Sequence, residues 1–293
     1  MLHYRMGGAG QMLADVTSKG LLVSLPIKGT GDTIWCSDFI ASLIWFASAY
    51  PTKFAFRGHS DATFDFQSRL ARVVLAENSA SRYADLVARE RAILADVREA
   101  GWLGTVRTPL ARLASLQHRG VPTRLLDLTL DPLVATYFAA EKDSSLDGAV
   151  VLVRDPGSKV EMTNLGSLRF TPSGATYAVW PAPPIDDRII SQRGAFLVAN
   201  NVVKKVQPNL TLAYGIAGFQ SKGEWTGDSI QKAVDNYLNG QYRGRPKKYP
   251  PNLAVFLIPS IMKSALVKML SRFGITKRSI YPDLQGYATS FLA

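Results

Sequence analysis

The sequence has a single cysteine, Cys36, and only three histidines, His3, His59 and His118. One thiol excludes an internal disulfide framework and any multi-thiolate zinc site, and it suits a reducing cytoplasm. Three scattered histidines argue against a multi-histidine metal centre, so no metal is expected. No uninterrupted apolar run approaches the roughly 20 residues that cross a bilayer. The opening stretch MLHYRMGGAGQM has a basic residue but no apolar core behind it, so neither a membrane span nor a secretion signal is expected. The patterns G-x-x-x-x-G-K-[ST], G-x-S-x-G and H-E-x-x-H are missing, which speaks against a P-loop nucleotidase, an elbow-type serine hydrolase and a zincin. GGAG (7–10) and GTGD (29–32) lack the strand–turn–helix setting of a dinucleotide fingerprint. Any chemistry must be built from arginine, carboxylate, amide and hydroxyl groups.

Acid is also short: 23 Asp and Glu stand against 34 Lys and Arg, a net charge of +11. Such an excess favours polyanionic partners. With 293 residues, 47% of them hydrophobic and 19% charged, the chain can bury a sizeable core and is not generally disordered.

Periodicity predicts helices from about Ser37 or Asp38 to Pro51 and over 80–100, where Tyr83, Leu86, Val87, Leu94 and Val97 form the apolar stripe and the charges read as a solvated face. Thr108 as cap, Pro109 at the first position and Gly120 as stop frame a further helix, with Gln117 and His118 in its last turn. Asp131 and Pro132 start another, and SIMKSALVKMLSRFG (260–274) is a fifth, with a stripe of Met262, Leu266, Met269, Leu270 and Phe273. Strands are expected from Phe54, over TRLLDLT (123–129), and over 148–154, 195–200 and 252–259. Helices gather in the first half and strands in the second. This order predicts an α+β fold, a mixed β-sheet core flanked by helices. A segment 1–36 precedes a single domain over 37–293, with a basic insertion near 218–251.

Polar residues crowd the borders of apolar segments at Arg57, His59, Gln117, His118, Arg124, Asp127 and Gln192. One polar cleft would account for all of them. Asp127 interrupts an apolar run and is expensive to bury unpaired. Each residue has a plainer reading as well. Arg124 and Asp127 form a buried ion pair, or Arg57 binds Asp127 or a helix end. His118 caps its helix, Gln117 satisfies strand-end carbonyls, Gln192–Arg193–Gly194 is a tight turn, and Tyr137 and Phe138 belong to the core.

Phe56–Arg57–Gly58 and QHRGVPTRLLDLT (117–129) resemble the FRG domain family. The family takes its name from an aromatic–Arg–Gly tripeptide, and its second hallmark, Gln-His-x-Gly-x-Pro-Thr-Arg-Leu-Leu-Asp-x-Thr, is matched at every stated position. LVATYFA, DGAVVLV, SQRGAF (191–196) and IYPDLQGYA (280–288) are similar to the family too, so the resemblance runs over about 37–290. More distantly, the order of elements resembles the Arg-Ser-Glu class of ADP-ribosyltransferases. That resemblance implies NAD as substrate, with Arg57 on its pyrophosphate and Phe56, Gly58, His59, Gln117, His118, Arg124 and Thr129 around it. Asp127 and Gln192 then stand at the catalytic positions, although Gln192 is no carboxylate and the Ser-Thr-Ser motif survives only as Asp-Leu-Thr. The implied activity is transfer of ADP-ribose to a macromolecule, nucleic acid or protein, or its hydrolysis. A bacterial toxin or anti-phage effector with a neutralising antitoxin is the implied setting, and Arg243, Arg245, Lys247 and Lys248 would suit a nucleic-acid acceptor. The alternative is a non-catalytic module that binds a nucleotide or nucleic acid.

Overall fold

The computed structural model describes residues 21–23, 32–48, 52–199 (apart from 63, 65, 80, 82, 103–107, 143–144, 164–165, 174 and 176) and 253–283. The basic segment 218–251 and its Arg243, Arg245, Lys247 and Lys248 lie outside the described residues, as do GGAG and 284–288. The chain divides into two compact units, one within 1–64, 129–154 and 218–293, the other within 65–128 and 155–217. Both mix helices with mainly antiparallel strands, as the α+β expectation required.

In the first unit, strands β1 (Leu21–Val23), β2 (Phe54–His59), β4 (Gly148–Arg154) and β9 (Leu253–Ile258) lie in the order β1–β9–β4–β2, and Thr129 at the end of β3 (Leu126–Thr129) pairs with Phe56. β1 runs parallel to β9, and the other pairs are antiparallel, with Phe56 opposite Leu152 and Val150 opposite Phe256. The phenylalanines of β2 meet helix α1 (Asp32–Ser48), which contributes Trp35, Phe39, Leu43 and Phe46 to one core with Val150, Leu152, Phe256 and Ile258. α1 starts earlier than the sequence suggested. Asp38, offered as a cap, is an interior residue whose carbonyl accepts the Ser42 hydroxyl. Cys36 lies fully buried in this core; burial, with Asp32 adding, pushes its thiol up to about 11, so it offers no nucleophile.

Helix α5 (Pro132–Ala140) starts where Asp131 accepts the N–H groups of Leu133 and Val134. It crosses the sheet over Gly58 and Gly148. A Cβ on Gly58 would stand 2.1 Å from the Ala135 carbonyl oxygen, and one on Gly148 2.3 Å from that of Ala139. Only glycine permits so close an approach. Helix α7 (Lys263–Arg272) follows a 3₁₀ turn at Ser260–Met262 and packs Leu266 and Leu270 inward, whereas Phe273, read as part of that stripe, is exposed.

Glu141 caps the C-terminus of α5, and its carboxylate accepts the Tyr281 hydroxyl at 2.9 Å. Burial holds its carboxyl above the usual range, against the opposing Tyr281 bond and the charges of Lys142 and Lys277. A raised folded value means that this group favours folding in acid and loses that contribution as pH rises through it. Glu141→Gln keeps the acceptor and removes the desolvated charge. It is therefore expected to melt higher than the parent at neutral pH, with the gap closing as pH falls into the ordinary carboxylate range, as thermal melts at the two pH values would show.

The second unit holds helices α2 (Arg69–Glu77), α3 (Tyr83–Glu99) and α4 (Pro109–His118), residues 126–128 of β3, the hairpins β5 (Lys159–Met162)–β6 (Leu168–Thr171) and β7 (Tyr177–Pro181)–β8 (Gly194–Ala199), and the short helix α6 (Asp187–Ser191). Leu110, Leu113, Leu125, Met162, Phe196 and Val198 make its main core, and Leu70, Val74 and Leu86 join α2 to α3. Among the described residues, no helix is long and apolar enough to cross a membrane.

Candidate functional site

In the second unit, β3 alternates as its sequence does. Leu126 and Leu128 are buried, and Asp127 between them is exposed. The expectation of a costly buried carboxylate is thus corrected: period-two geometry turns Asp127 outward. Gln117, in the last turn of α4, donates its amide N–H to Asp127 Oδ1 at 2.6 Å. The carbonyl end of the same amide accepts the Thr123 hydroxyl. Gln117 therefore serves a side-chain carboxylate rather than strand-end carbonyls. The result is a solvent-facing carboxylate set in a defined orientation, able to stabilise positive charge or to accept a proton.

Arg124 is fully buried. Its guanidinium pairs with Glu90 of α3, its NH1 donates to the Tyr83 hydroxyl at 2.8 Å, and its backbone N–H donates to Glu90 Oε1 at 3.0 Å. The Tyr83 ring lies 5.6 Å from the guanidinium carbon. Burial, helped by Glu90 and opposed by Arg124, pushes the Tyr83 phenol up. Arg124 was expected to pair with Asp127 or to line a cofactor site. The structure corrects both, because its side chain faces the packing of α3 and not a ligand. Glu90 had been read as part of a solvated face.

His118 sits 4.0 Å from Asp186 and edge-on to Phe196, whose ring stacks on Trp180. Asp186 also caps α6 by accepting the Ile189 N–H. Gln192 is the C-cap of α6, and Arg193 then turns at φ +48 into Gly194 and β8. The tight-turn reading of Gln192–Arg193–Gly194 is thus the one observed.

In the first unit, Arg57 and His59 share one face of β2, and Arg57 Nε donates to His59 Nε2 at 2.9 Å. A guanidinium only donates, so the histidine nitrogen facing it accepts. His59 is buried with its ring edge-on to Phe64, and Arg57 is half-buried. The opposite face belongs to packing. Phe56, placed beside the cofactor by the resemblance, is a core residue, and Gly58 yields its space to α5 rather than to a ligand. Thr129 is buried and accepts the Asp131 N–H at 3.0 Å, which fixes the turn into α5. Tyr137 is core as well.

Residues 52–148 match the family model of the FRG domain. The chain carries an FRG domain. The match takes in β2 with its Phe-Arg-Gly tripeptide and the whole of the Gln117–Thr129 segment. No curated protein and no solved structure matches the chain. Within the FRG domain two charged residues went unread as structural groups, Glu90 and, at its border, Asp147, whose carboxylate accepts the Ser260 N–H at 2.8 Å. Lys263, outside the match, was unread too: it is buried and donates to the carbonyls of Ser60 and Lys142. Glu90 and Lys263 both fall on their helix's apolar stripe, with Leu86 and Val97 and with Leu266 and Leu270 respectively. A lone charge on such a stripe was the signal available. Among the described residues no group of three His, Cys, Asp or Glu could hold a metal.

Proposed function

We propose that this FRG-domain protein is an ADP-ribosyltransferase-like enzyme that binds NAD and transfers ADP-ribose to a macromolecule or to water. The observation that supports it is Asp127, exposed on β3 and aligned by Gln117 at 2.6 Å. Breaking the nicotinamide–ribose bond builds positive charge on the sugar, and an oriented carboxylate stabilises that charge or takes the proton of the incoming nucleophile. Asp127 alone carries this reading. The net charge of +11 suits a nucleic-acid acceptor. A cytoplasmic toxin or anti-phage effector, held in check by a neutralising partner, is the setting such an activity fits.

The test follows nicotinamide release and label transfer when the purified protein meets NAD labelled in its adenylate, alone and with RNA, DNA or cell extract. Asp127→Asn is expected to lower turnover by about 100-fold or more, with the melting temperature unchanged. Turnover that survives in Asp127→Asn would place the chemistry elsewhere. A parent protein that neither binds nor consumes NAD would overturn the enzyme reading. It would favour the second one, a module that binds nucleic acid without turnover, to which the amide at Gln192 and the basic charge lend support.

A further inference from the structure

The carboxylate of Asp127 ends a one-way chain of hydrogen bonds. The Leu125 N–H donates to the Thr123 hydroxyl oxygen at 3.2 Å. That hydroxyl has one hydrogen, and it goes to the Gln117 carbonyl oxygen. With its carbonyl so occupied, Gln117 can turn only its NH2 toward Asp127, which as a carboxylate accepts. Turned the other way, the amide would set its oxygen against the Asp127 oxygen.

Thr123 is itself held from two helices. It is buried. Its carbonyl accepts the Leu70 N–H in the first turn of α2 at 3.2 Å, and the next peptide N–H, that of Arg124, donates to Glu90 of α3. Two helices thus fix the position of a hydroxyl that accepts the Leu125 N–H and gives its one hydrogen to Gln117. We propose that Thr123 is a positioning residue for Asp127: it sets which end of the Gln117 amide meets the carboxylate, and the α2 and α3 anchors hold it there. This rests on the reading of Asp127 as the working carboxylate.

The experiment compares the parent with Thr123→Val, of nearly the same shape, and Thr123→Ser, which restores the hydroxyl. Glutamine side chains labelled with nitrogen-15 report the amide directly, and the Gln117 signal is identified by its loss in Gln117→Met. The Gln117 NH2 pair is expected to be well dispersed in the parent and in Thr123→Ser and to move toward the exposed-amide position in Thr123→Val. In NAD turnover, Thr123→Val is expected to lower kcat roughly 10- to 100-fold while KM stays within about twofold, and Thr123→Ser to restore most of it. A valine variant with the parent's amide signal overturns the orienting role, as does one whose serine counterpart rescues nothing. If the amide signal moves as expected but the parent releases no nicotinamide, the catalytic reading of Asp127 falls, and with it the positioning role in turnover, while the hydrogen-bond chain stands.

Discussion

Glu90→Leu is expected to cost about 3–5 kcal/mol of folding stability, because it strands the Arg124 guanidinium inside the second unit. The two side chains are essentially shut away from solvent, at 0% and 1% exposure. Neither can recover its hydration when the other is lost. Glu90 also accepts the Arg124 backbone N–H, so the leucine leaves a second buried donor without its partner. Against a total stability on the order of 5–15 kcal/mol, a loss of this size shifts the urea midpoint far enough to read without extrapolation. The double variant Glu90→Leu/Arg124→Met removes both charges and should regain most of the loss, though not the part due to the backbone N–H. A single-variant loss below about 1 kcal/mol would mean that the pair behaves as an exposed one and that Arg124 reaches water.

Gly58→Ala is expected to be nearly as damaging, by about 3 kcal/mol or more, at the top of the range for overpacking. The added methyl would meet the Ala135 carbonyl oxygen at 2.1 Å and the Ala139 nitrogen at 2.6 Å. Both are helix backbone. Neither can swing aside as a side-chain end would, so α5 must lift from β2 and forfeit its contacts with Phe56 and Val150. Gly194→Ala is the matched control. Its methyl would find nothing nearer than 3.5 Å, and its effect should stay within about 0.5 kcal/mol. Thermal and urea melts of the two variants side by side separate a steric cause from the general cost of replacing glycine.

The capped helices were legible because their determinants are local. Thr108 with Pro109 and Asp131 with Pro132 each state a helix start within two residues, and both side chains accept the N–H groups they were expected to. Gly120, at φ +87, closes α4 where the sequence placed the stop. α2 was missed, although Ser68 caps it and Leu70, Ala71, Val74 and Leu75 mark its inner face. Its polar flanks hid a helix of only a few turns.

The site was legible as a set of positions and not as a set of roles. Arg124 and Asp127 stand three apart in sequence, which suggested a pair, yet on and before a strand that spacing turns one inward and the other out. Arg124's partner comes from 34 residues away, beyond any local pattern. Gln117 and Thr123 form a bond that depends on how the loop after α4 returns to β3, and composition does not encode that return. Phe56 and Gly58 were read through the chemistry of Arg57 between them, when strand alternation already assigned them to the opposite face.

Phe-Arg-Gly in β2 therefore carries two unrelated demands in three consecutive residues. The outer pair answers to the helix lying across the strand, and the middle one looks away from it. A substitution at Phe56 or Gly58 is therefore felt first by the fold, through the core and the helix backbone that crosses it. Only at position 57 can the tripeptide change its chemistry and leave that crossing untouched.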